Sequence, residues 1–243
     1  MYPTNNISKP LLLWYRKSKR PMPWRNTKEP YKIWLSETML QQTQVKTVIP
    51  FYNSWIEKYP DFESVAGARL DSLLKSWEGL GYYNRCHNFH KAVKIIVNKY
   101  NSSLPINIKD FMVLPGVGSY TSAAVYSIVF LHPIPVVDGN VNRVMSRLLR
   151  LLRFTPYNKK RVLSTLIKWL DRSRPGDFNQ ALMELGSTVC LPKNPKCENC
   201  PLKLSCGGTL SGSPESYPSP KPKQSLPWQN VLTGVIWKRD SFL

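Results

Sequence analysis

One acidic residue in this sequence stands where an apolar one is expected. In the stretch PYKIWLSETMLQQTQ a helix would place Glu37 on the same stripe as Ile33, Leu40 and Gln44. Burial among apolar side chains raises the pKa of a carboxyl group, so Glu37 could stay protonated near neutral pH and act as a general acid. Taken alone, the position favours the alternative, a structural glutamate that is hydrogen-bonded inside the core.

A second carboxylate, Asp138, follows the run PIPVV and precedes GNVNRVMSRLL. This order places it at the N-terminus of a predicted helix, and aspartate is among the best N-cap residues. The Asp-Gly pair is also typical of a simple turn. The sequence around Asp138 therefore allows three interpretations of this residue: a helix cap, part of a turn, or a reactive carboxylate.

The stretch LPGVGSYT, residues 114–121, holds two glycines just before an apolar run. It lacks the third glycine and the preceding strand of a dinucleotide-binding loop, and it lacks the Gly-Lys-Ser/Thr ending of a P-loop. What remains is a turn between two helices, in which Gly116 and Gly118 expose backbone N–H groups beside a helix N-terminus. Such a turn can bind an anion without any side chain.

Four cysteines lie close together in the sequence as C-x6-C-x2-C-x5-C: Cys190, Cys197, Cys200 and Cys206. Clustered thiolates in a reducing compartment indicate a metal site rather than disulfides. Structural zinc usually uses two paired knuckles, and here only the Cys197–Cys200 pair forms one. The uneven spacing also suits an iron–sulfur cluster, so spacing alone leaves both metals open. The remaining Cys86 is expected to be a small buried hydrophobe.

The composition points to a polyanionic partner. Lysine and arginine number 34 against 15 acidic residues, giving a formal charge of +19. This excess favours nucleic acid over a membrane surface. The sequence has no apolar run long enough to span a bilayer, and its first residues hold only a short leucine patch. We therefore expect a cytoplasmic, nucleoid-associated protein.

Apolar residues recur at helical spacing through most of the chain, for example in DSLLKSWEGLGYY, KAVKIIVNKY, VNRVMSRLLRLLRF and KRVLSTLIKWLDR. This pattern predicts an all-α body. Residues 207–230 are rich in Gly, Ser and Pro and are predicted to form an extended linker. The final segment, 231–243, is predicted to be one strand and the start of a turn. One strand cannot fold alone, so it either docks on the helical body or, as we favour, begins a β-containing domain.

Taken together, these motifs resemble those of a known family. The hairpin LPGVGSYTSAA, the segment PVVDGNVNRV and the four cysteines resemble the helix–hairpin–helix DNA glycosylases that carry a [4Fe–4S] cluster. Within that superfamily, MutY-type adenine DNA glycosylases are the most similar, through the stretches PWRNTKEPYKIWLSETMLQQTQVKTVIPFY, WEGLGYYNRCHNFHKA and FNQALMELGSTVC. The resemblance covers about residues 10–206, and it favours an iron–sulfur cluster over zinc.

The resemblance implies a domain organisation. Residues 1–206 would form the helical glycosylase domain, with a six-helix subdomain at about 30–137 that contains the hairpin 114–121. The N-terminal segment and residues 138–206 would form the cluster subdomain. Residues 231–243 would begin a Nudix-like domain that is truncated here, and without that domain we expect a weaker preference for 8-oxoguanine over guanine opposite the adenine.

The resemblance also assigns catalytic roles. Glu37 would protonate adenine N7, and Asp138 would stabilise the sugar cation, in parallel with the two carboxylates of glycoside hydrolysis. Tyr120 and Asn140 would orient Asp138 and the substrate. Lyases of the endonuclease III type carry a lysine where this chain has Tyr120, and a tyrosine cannot form an imine. The resemblance therefore implies a monofunctional glycosylase.

The remaining residues would contact DNA, a base or the cluster. Gly116 and Gly118 would hold a DNA phosphate, and the four cysteines would hold the cluster. Gln42 and Tyr82 match positions that wedge into the gap left by the extruded base and beside the opposing base. The residues matching the adenine pocket are Arg20, Met22 and Arg25, with Met22 where a leucine is often found.

The implied partner is double-stranded DNA that contains adenine opposite 8-oxoguanine or guanine. The protein is expected to bind it as a monomer and to have no membrane partner. Two alternatives stay open. One is an endonuclease III-like glycosylase and AP lyase, and the other is a catalytically inactive, cluster-bearing DNA-binding module.

Overall fold

The computed structural model describes residues 6–219 and the pairs 233–234, 237–238 and 241–242. All the regular secondary structure of residues 6–219 is helical, as the apolar periodicity predicts. In the described residues, no helix has the length and apolar character needed to cross a membrane. The α-helices are α1 (Ser8–Ser18), α2 (Pro30–Leu40), α3 (Val45–Lys58), α4 (Phe62–Gly67), α5 (Leu70–Trp77), α6 (Asn84–Tyr100), α7 (Ile108–Met112), α8 (Ser119–Val129), α9 (Gly139–Leu149), α10 (Pro156–Trp169), α11 (Pro175–Thr188) and α12 (Gly207–Leu210).

The first large hydrophobic core is built around α2. Its Trp34 makes edge-to-face contacts with Phe89 and Phe111, each at 4.9 Å between ring centroids. Such pairs contribute about 0.5–1.5 kcal/mol beyond the area that they bury. Nearly every face of α2 is covered, including Ile33 and all residues from Trp34 to Met39. An acidic residue on α2 is therefore held inside the protein whichever way it points.

The second core joins α1 to the later helices. Leu11 and Leu12 of α1 pack in one cluster with apolar residues of α9, α10 and α11. Helix α11 also contacts α8, so it links the two cores. The approach of α11 to α9 is close enough to require glycine at 186, since a Cβ there would lie 2.6 Å from Asn140 Cβ. The two cores lie largely on either side of residue 137, with α1 joining the second.

Two helices end earlier than the apolar periodicity predicts. The sequence pattern continues α9 to Phe154, but the helix stops at Leu149, where Arg150 adopts a left-handed conformation with φ 54°. The N–H of Leu151 then bonds to the Ser146 carbonyl at 2.8 Å and closes the helix end. In the same way α5 stops at Trp77, because the glycines at 79 and 81 have positive φ angles.

The segment predicted as an extended linker, 207–230, differs from that prediction in its described part. Residues 207–219 contain α12 and a short turn that lie against α9. Arg147 Nε donates to the Tyr217 carbonyl at 3.2 Å, and Ser219 N donates to Leu152 O at 2.8 Å. The composition of this segment offers little apolar packing. Hydrogen bonds to Arg147 and Leu152 hold it against the body instead. Residues 220–230 lie outside the described part.

Most of the predicted β-containing segment, 231–243, also lies outside the described residues. Its described part holds two short antiparallel strands, β1 (Trp237–Lys238) and β2 (Ser241–Phe242). Trp237 pairs with Phe242, and Lys238 pairs with Ser241.

Candidate active site

A cavity of about 180 Å³ opens between the two cores, bounded by α2, α8, α11 and the first residues of α9. A dry cavity of about 150 Å³ in another protein admits a benzene ring, so this volume suits a planar heterocycle. The structure gathers here all four residues predicted to be catalytic and all three predicted to line the base pocket. They are Glu37, Tyr120, Asp138, Asn140, Arg20, Met22 and Arg25.

Glu37 lies in the last turns of α2 and reaches the cavity from the side of the first core. Its side chain is buried, and among the described residues its Oε2 atom has no hydrogen-bond partner. Burial, with a smaller effect of the Asp138 charge, raises the pKa of Glu37 to about 7, although Tyr120 and Arg25 lower it. The raised pKa that the sequence predicts is thus present. The predicted stripe is wrong in one respect, because α2 ends at Leu40 and Gln44 precedes α3 instead.

Tyr120 is in the first turn of α8 and lies beside both carboxylates. Burial, and then the charges of Glu37 and Asp138, raise the pKa of its hydroxyl well above the ordinary value. The hydroxyl therefore stays protonated and can donate a hydrogen bond. It is placed 3.3 Å from the Met183 sulfur.

Asp138 is the N-cap of α9, as its position in the sequence predicts. Its Oδ1 accepts a hydrogen bond from the Val141 N–H at 2.7 Å, and its Oδ2 accepts one from the Asn140 side chain at 3.0 Å. Asn140 is held in turn by Arg143, whose Nη2 donates to Asn140 Oδ1 at 2.9 Å. A carboxylate at a helix N-terminus is also stabilised by the helix dipole. The cap and a reactive carboxylate are thus compatible in one residue.

One wall of the cavity is closed by a buried ion-pair network around Glu184 on α11. Arg20 donates to both carboxylate oxygens of Glu184, at 2.7 and 3.0 Å, and Arg25 donates to Oε2 at 2.8 Å. Burial by itself raises the pKa of Glu184, but the hydrogen bonds from Arg20 and Arg25 outweigh it and lower the pKa to about 2. The network ties the segment before α2 to α11 and presents Met22, which is buried, to the cavity.

The hairpin predicted at residues 114–121 joins α7 to α8 and includes the first residues of α8. Gly116 has a φ of +75°, and a Cβ there would lie 2.9 Å from Asn88 Cβ, so the turn requires glycine. Gly118 is the N-cap of α8, which has no side-chain cap hydrogen bond. The N–H groups of the first turn of α8 have no intrahelical acceptors and suit an anion. These two glycines lie outside the cavity.

Gln42 and Tyr82 also lie outside the cavity, on two loops. Both are exposed, and both have positive φ angles, 56° and 51°. A left-handed backbone is uncommon for residues other than glycine. The sequence indicates neither conformation.

The four cysteines occupy one loop region between α11 and α12. All are free thiols, and burial, with further contributions from the other three cysteines, raises the pKa of Cys200 to about 12. Arg147 Nη1 lies 3.2 Å from Cys190 Sγ, so a cation is placed to stabilise a thiolate there. Over the described residues, no group of three or more His, Cys, Asp or Glu side chains is already arranged to hold a metal ion. The donor set is nonetheless purely sulfur, which fits a thiolate-bound iron–sulfur cluster or zinc.

Three lysines lie between the cysteines of this loop. Lys193 and Lys196 are exposed, whereas the partly buried Lys203 forms an ion pair with Glu198. The loop therefore presents positive charge at its surface, chiefly through Lys193 and Lys196.

Sequence reasoning misses several residues of the cavity, chiefly those on α11. Gln180, Met183, Glu184 and Ser187 all line it. Their spacing of three and four residues places them on one helix face, and a polar stripe of this kind within FNQALMELGS was the available signal.

Comparison with known proteins agrees with this geometry. An adenine DNA glycosylase from Buchnera aphidicola subsp. Baizongia pistaciae is 40% identical over 83% of this chain and 58% of that protein. The adenine DNA glycosylase of Homo sapiens is 39% identical over 93% of this chain and 47% of that protein. The chain thus spans about half the length of these curated relatives.

A solved structure of a thermostable thymine-DNA glycosylase superimposes with a TM-score of 0.76 and 29% sequence identity, covering 84% of this chain and 95% of that chain. The family model of the HhH-GPD superfamily base excision DNA repair proteins matches residues 35–171, more than half of the sequence. Because the chain shares the fold, has the hairpin and matches this family model over more than half of its length, it belongs to the HhH-GPD superfamily of base excision DNA repair proteins.

Proposed function

We propose that this protein is a monofunctional adenine DNA glycosylase, which hydrolyses the N-glycosidic bond of adenine mispaired with 8-oxoguanine or guanine. It would act as a monomer on double-stranded DNA, in the nucleoid-bearing cytoplasm. The observation that carries the proposal is the pair Glu37 and Asp138, which reach one cavity in different environments. Glu37 is buried and has no hydrogen-bond partner at Oε2 within the described part of the chain, whereas Asp138 is held by two donors.

Because the two carboxyl groups lie in different environments, they can take different roles: Glu37 as the general acid and Asp138 as the group that stabilises positive charge. Glu37, with its pKa raised to about 7, keeps a proton that it can give to a ring nitrogen of the departing base. The nitrogen meant is N7 of an adenine extruded into the cavity. Protonation makes the base a better leaving group, so the C–N bond breaks with less negative charge on the base.

Asp138 would stabilise the positive charge that develops on the sugar as this bond breaks. Its two hydrogen bonds keep the carboxylate fixed at the cavity wall, so no reorientation is needed in the transition state. A water molecule then adds to the sugar and leaves an abasic site. Tyr120 would keep both carboxyl groups oriented through its protonated hydroxyl.

The strand itself would stay intact. Among the described residues that line the cavity there is no lysine, and Tyr120 occupies the hairpin position where lyases of this superfamily carry one. Borohydride should therefore trap no covalent protein–DNA adduct. The variant Tyr120→Lys, by placing an amine beside the sugar, should yield a detectable adduct.

We propose that Cys190, Cys197, Cys200 and Cys206 hold a [4Fe–4S] cluster, which when bound would cross-link the loop that carries Lys193 and Lys196. Iron, sulfide and zinc contents of protein purified without oxygen test this. Four iron and four sulfide per chain support the cluster, whereas one zinc per chain contradicts it. Cys197→Ser should lower the bound iron, while Cys86→Ser, at a buried position far along the chain, should leave it unchanged.

The decisive experiment is single-turnover base release from a set of matched duplexes. Adenine should be released both opposite 8-oxoguanine and opposite guanine. The ratio of the two rates measures the preference for 8-oxoguanine over guanine as the opposing base. Oxidised pyrimidines and thymine opposite guanine serve as the competing substrates of an endonuclease III-like enzyme and of a thymine-DNA glycosylase. Release from either of these in place of adenine, or binding with no release at all, overturns the proposal.

A further inference from the structure

Arg85 is a buried arginine that no part of the proposed chemistry uses. It lies in the first turn of α6, and among the described residues it has no carboxylate partner. Burial lowers the pKa of Arg85, but an arginine stays charged in proteins. Burying a cation without a counter-ion costs desolvation free energy unless fixed dipoles compensate for it. The hydrogen-bond partners of Arg85 therefore indicate its role.

Those partners come from the end of α2 with the loop that follows it, and from a second loop directly before α6. Nη1 donates to the carbonyls of Met39 at 2.7 Å, of Thr38 at 3.2 Å and of Gln41. Nη2 donates to Thr43 Oγ1 at 3.1 Å, to Gly81 O at 3.0 Å and to Leu80 O at 3.4 Å. One guanidinium therefore joins the loop after α2 to the loop before α6.

Each of these loops carries one of the residues predicted to wedge into DNA. Arg85 bonds to the residues on both sides of Gln42 and to the carbonyl of Gly81, directly before Tyr82. Its guanidinium carbon also lies 5.2 Å from the centre of the Tyr82 ring. Both Gln42 and Tyr82 have left-handed backbones, which need support from their surroundings.

Capping of α2 explains only part of this arrangement. The carbonyls of Thr38 and Met39 belong to the last turn of α2, where a cation is favourable. The bonds to Thr43, Leu80 and Gly81 serve no helix end. They hold the second loop at a fixed distance from the first.

We propose that Arg85 is a positioning residue, which sets the spacing between Gln42 and Tyr82 so that both enter the duplex together. This inference rests on the proposed function, in which these two side chains occupy the space left by an extruded base. An arginine is required because its planar fork can donate to both loops at once. A lysine has three donors at one point on a flexible stem, and it cannot span the two loops.

The test compares Arg85→Lys with Arg69→Lys, a matched change at an exposed arginine. Single-turnover adenine release should fall about 10- to 100-fold in Arg85→Lys and stay unchanged in Arg69→Lys. Fluorescence of 2-aminopurine at the target position should rise less on binding, because the base is extruded less often. Melting temperatures of all variants without DNA report on folding.

A double-mutant cycle separates positioning from a general loss of structure. In a background of Gln42→Ala with Tyr82→Ala, which has no wedge to position, adding Arg85→Lys should change release less than about threefold. An unchanged 10- to 100-fold loss in that background would show that Arg85 acts elsewhere, and would overturn the inference. If the wild-type protein releases no adenine, the proposed function fails, and the 2-aminopurine signal still tests the positioning.

A second variant covers the case in which Arg85→Lys does not fold. Thr43→Val keeps the size of the side chain and removes one acceptor of the guanidinium. It should slow release by up to about tenfold in the wild-type background and not in the background lacking both wedge residues. No effect in either background, or the same effect in both, contradicts the proposal.

Discussion

The Asn140 side chain donates to Asp138 Oδ2 at 3.0 Å, and this bond fixes the one carboxylate that caps α9 at the wall of the cavity. Because the Val141 N–H holds the other oxygen, Asp138 is both a structural cap and a candidate reactive group. The two roles can be separated by substitution.

Asp138→Asn should keep the cap and lose the charge. Asparagine caps helices as well as aspartate, so thermal stability should change little. Single-turnover adenine release should fall about 100- to 1000-fold, because a fixed charge beside the sugar cation is missing. Asp138→Ala is the matched comparison, since it should lose the same activity and also about 1 kcal/mol of stability. Equal release by the wild type and Asp138→Asn would exclude the electrostatic role.

The rate of adenine release should depend on pH through Glu37. With a pKa of about 7, the protonated form is lost as pH rises above neutrality, and the rate should fall tenfold per pH unit in that range. Glu37→Gln should reduce release about 100- to 10,000-fold and remove this pH dependence, while duplex binding is retained. A pH-rate profile of both proteins checks the assignment, and a residual fall above pH 7 in the variant would point to another acid.

Glu37 should also make stability depend on pH. Its folded pKa of about 7 lies above the ordinary value of 4.5, so its favourable contribution is present below pH 4.5 and is lost as pH rises to about 7. The loss is on the order of 3 kcal/mol. The melting temperature of the wild type minus that of Glu37→Gln should therefore fall between pH 5 and pH 8. A constant difference would mean that Glu37 titrates as an exposed acid.

The Glu184 network should be a stabilising element above acidic pH. Glu184→Gln leaves the buried Arg25 without its counter-charge and should cost about 3 kcal/mol in urea unfolding at pH 7. The half-exposed Arg20 should add little to this. Because the folded pKa of Glu184 is about 2, its contribution is lost as pH falls from 4.5 toward 2. Glu57→Gln, at an exposed position on α3, is the control and should change stability by less than about 0.5 kcal/mol.

Some of the predicted site residues carry a local signal, whereas Arg20, Met22, Arg25, Gln42 and Tyr82 are predicted through the family resemblance alone. Glu37 breaks an apolar run, Asp138 precedes a helix pattern, and Gly116 and Gly118 form a recognisable turn. Their burial, capping and backbone angles agree with these signals. Their roles in catalysis and DNA binding stay predictions until the variants above are measured.

The sequence does not reveal interaction partners that are far apart along the chain or that are backbone carbonyls. Glu184 pairs with arginines more than 150 positions away, and no local pattern marks that meeting. Arg85 bonds almost entirely to carbonyls, which every residue has. The end of α9 at Leu149 is likewise set by the left-handed Arg150, against a helical periodicity that continues past it.

The acid and the carboxylate belong to different halves of the molecule. Glu37 and the hairpin glycines pack with the first core, whereas Asp138 opens a helix of the second, and α11 joins the two. Separation of the two cores would therefore take Asp138 away from Glu37 and would also expose Glu37 to water, which would remove the cause of its raised pKa. The pair of carboxyl groups exists as a pair only while both cores stay packed on α11.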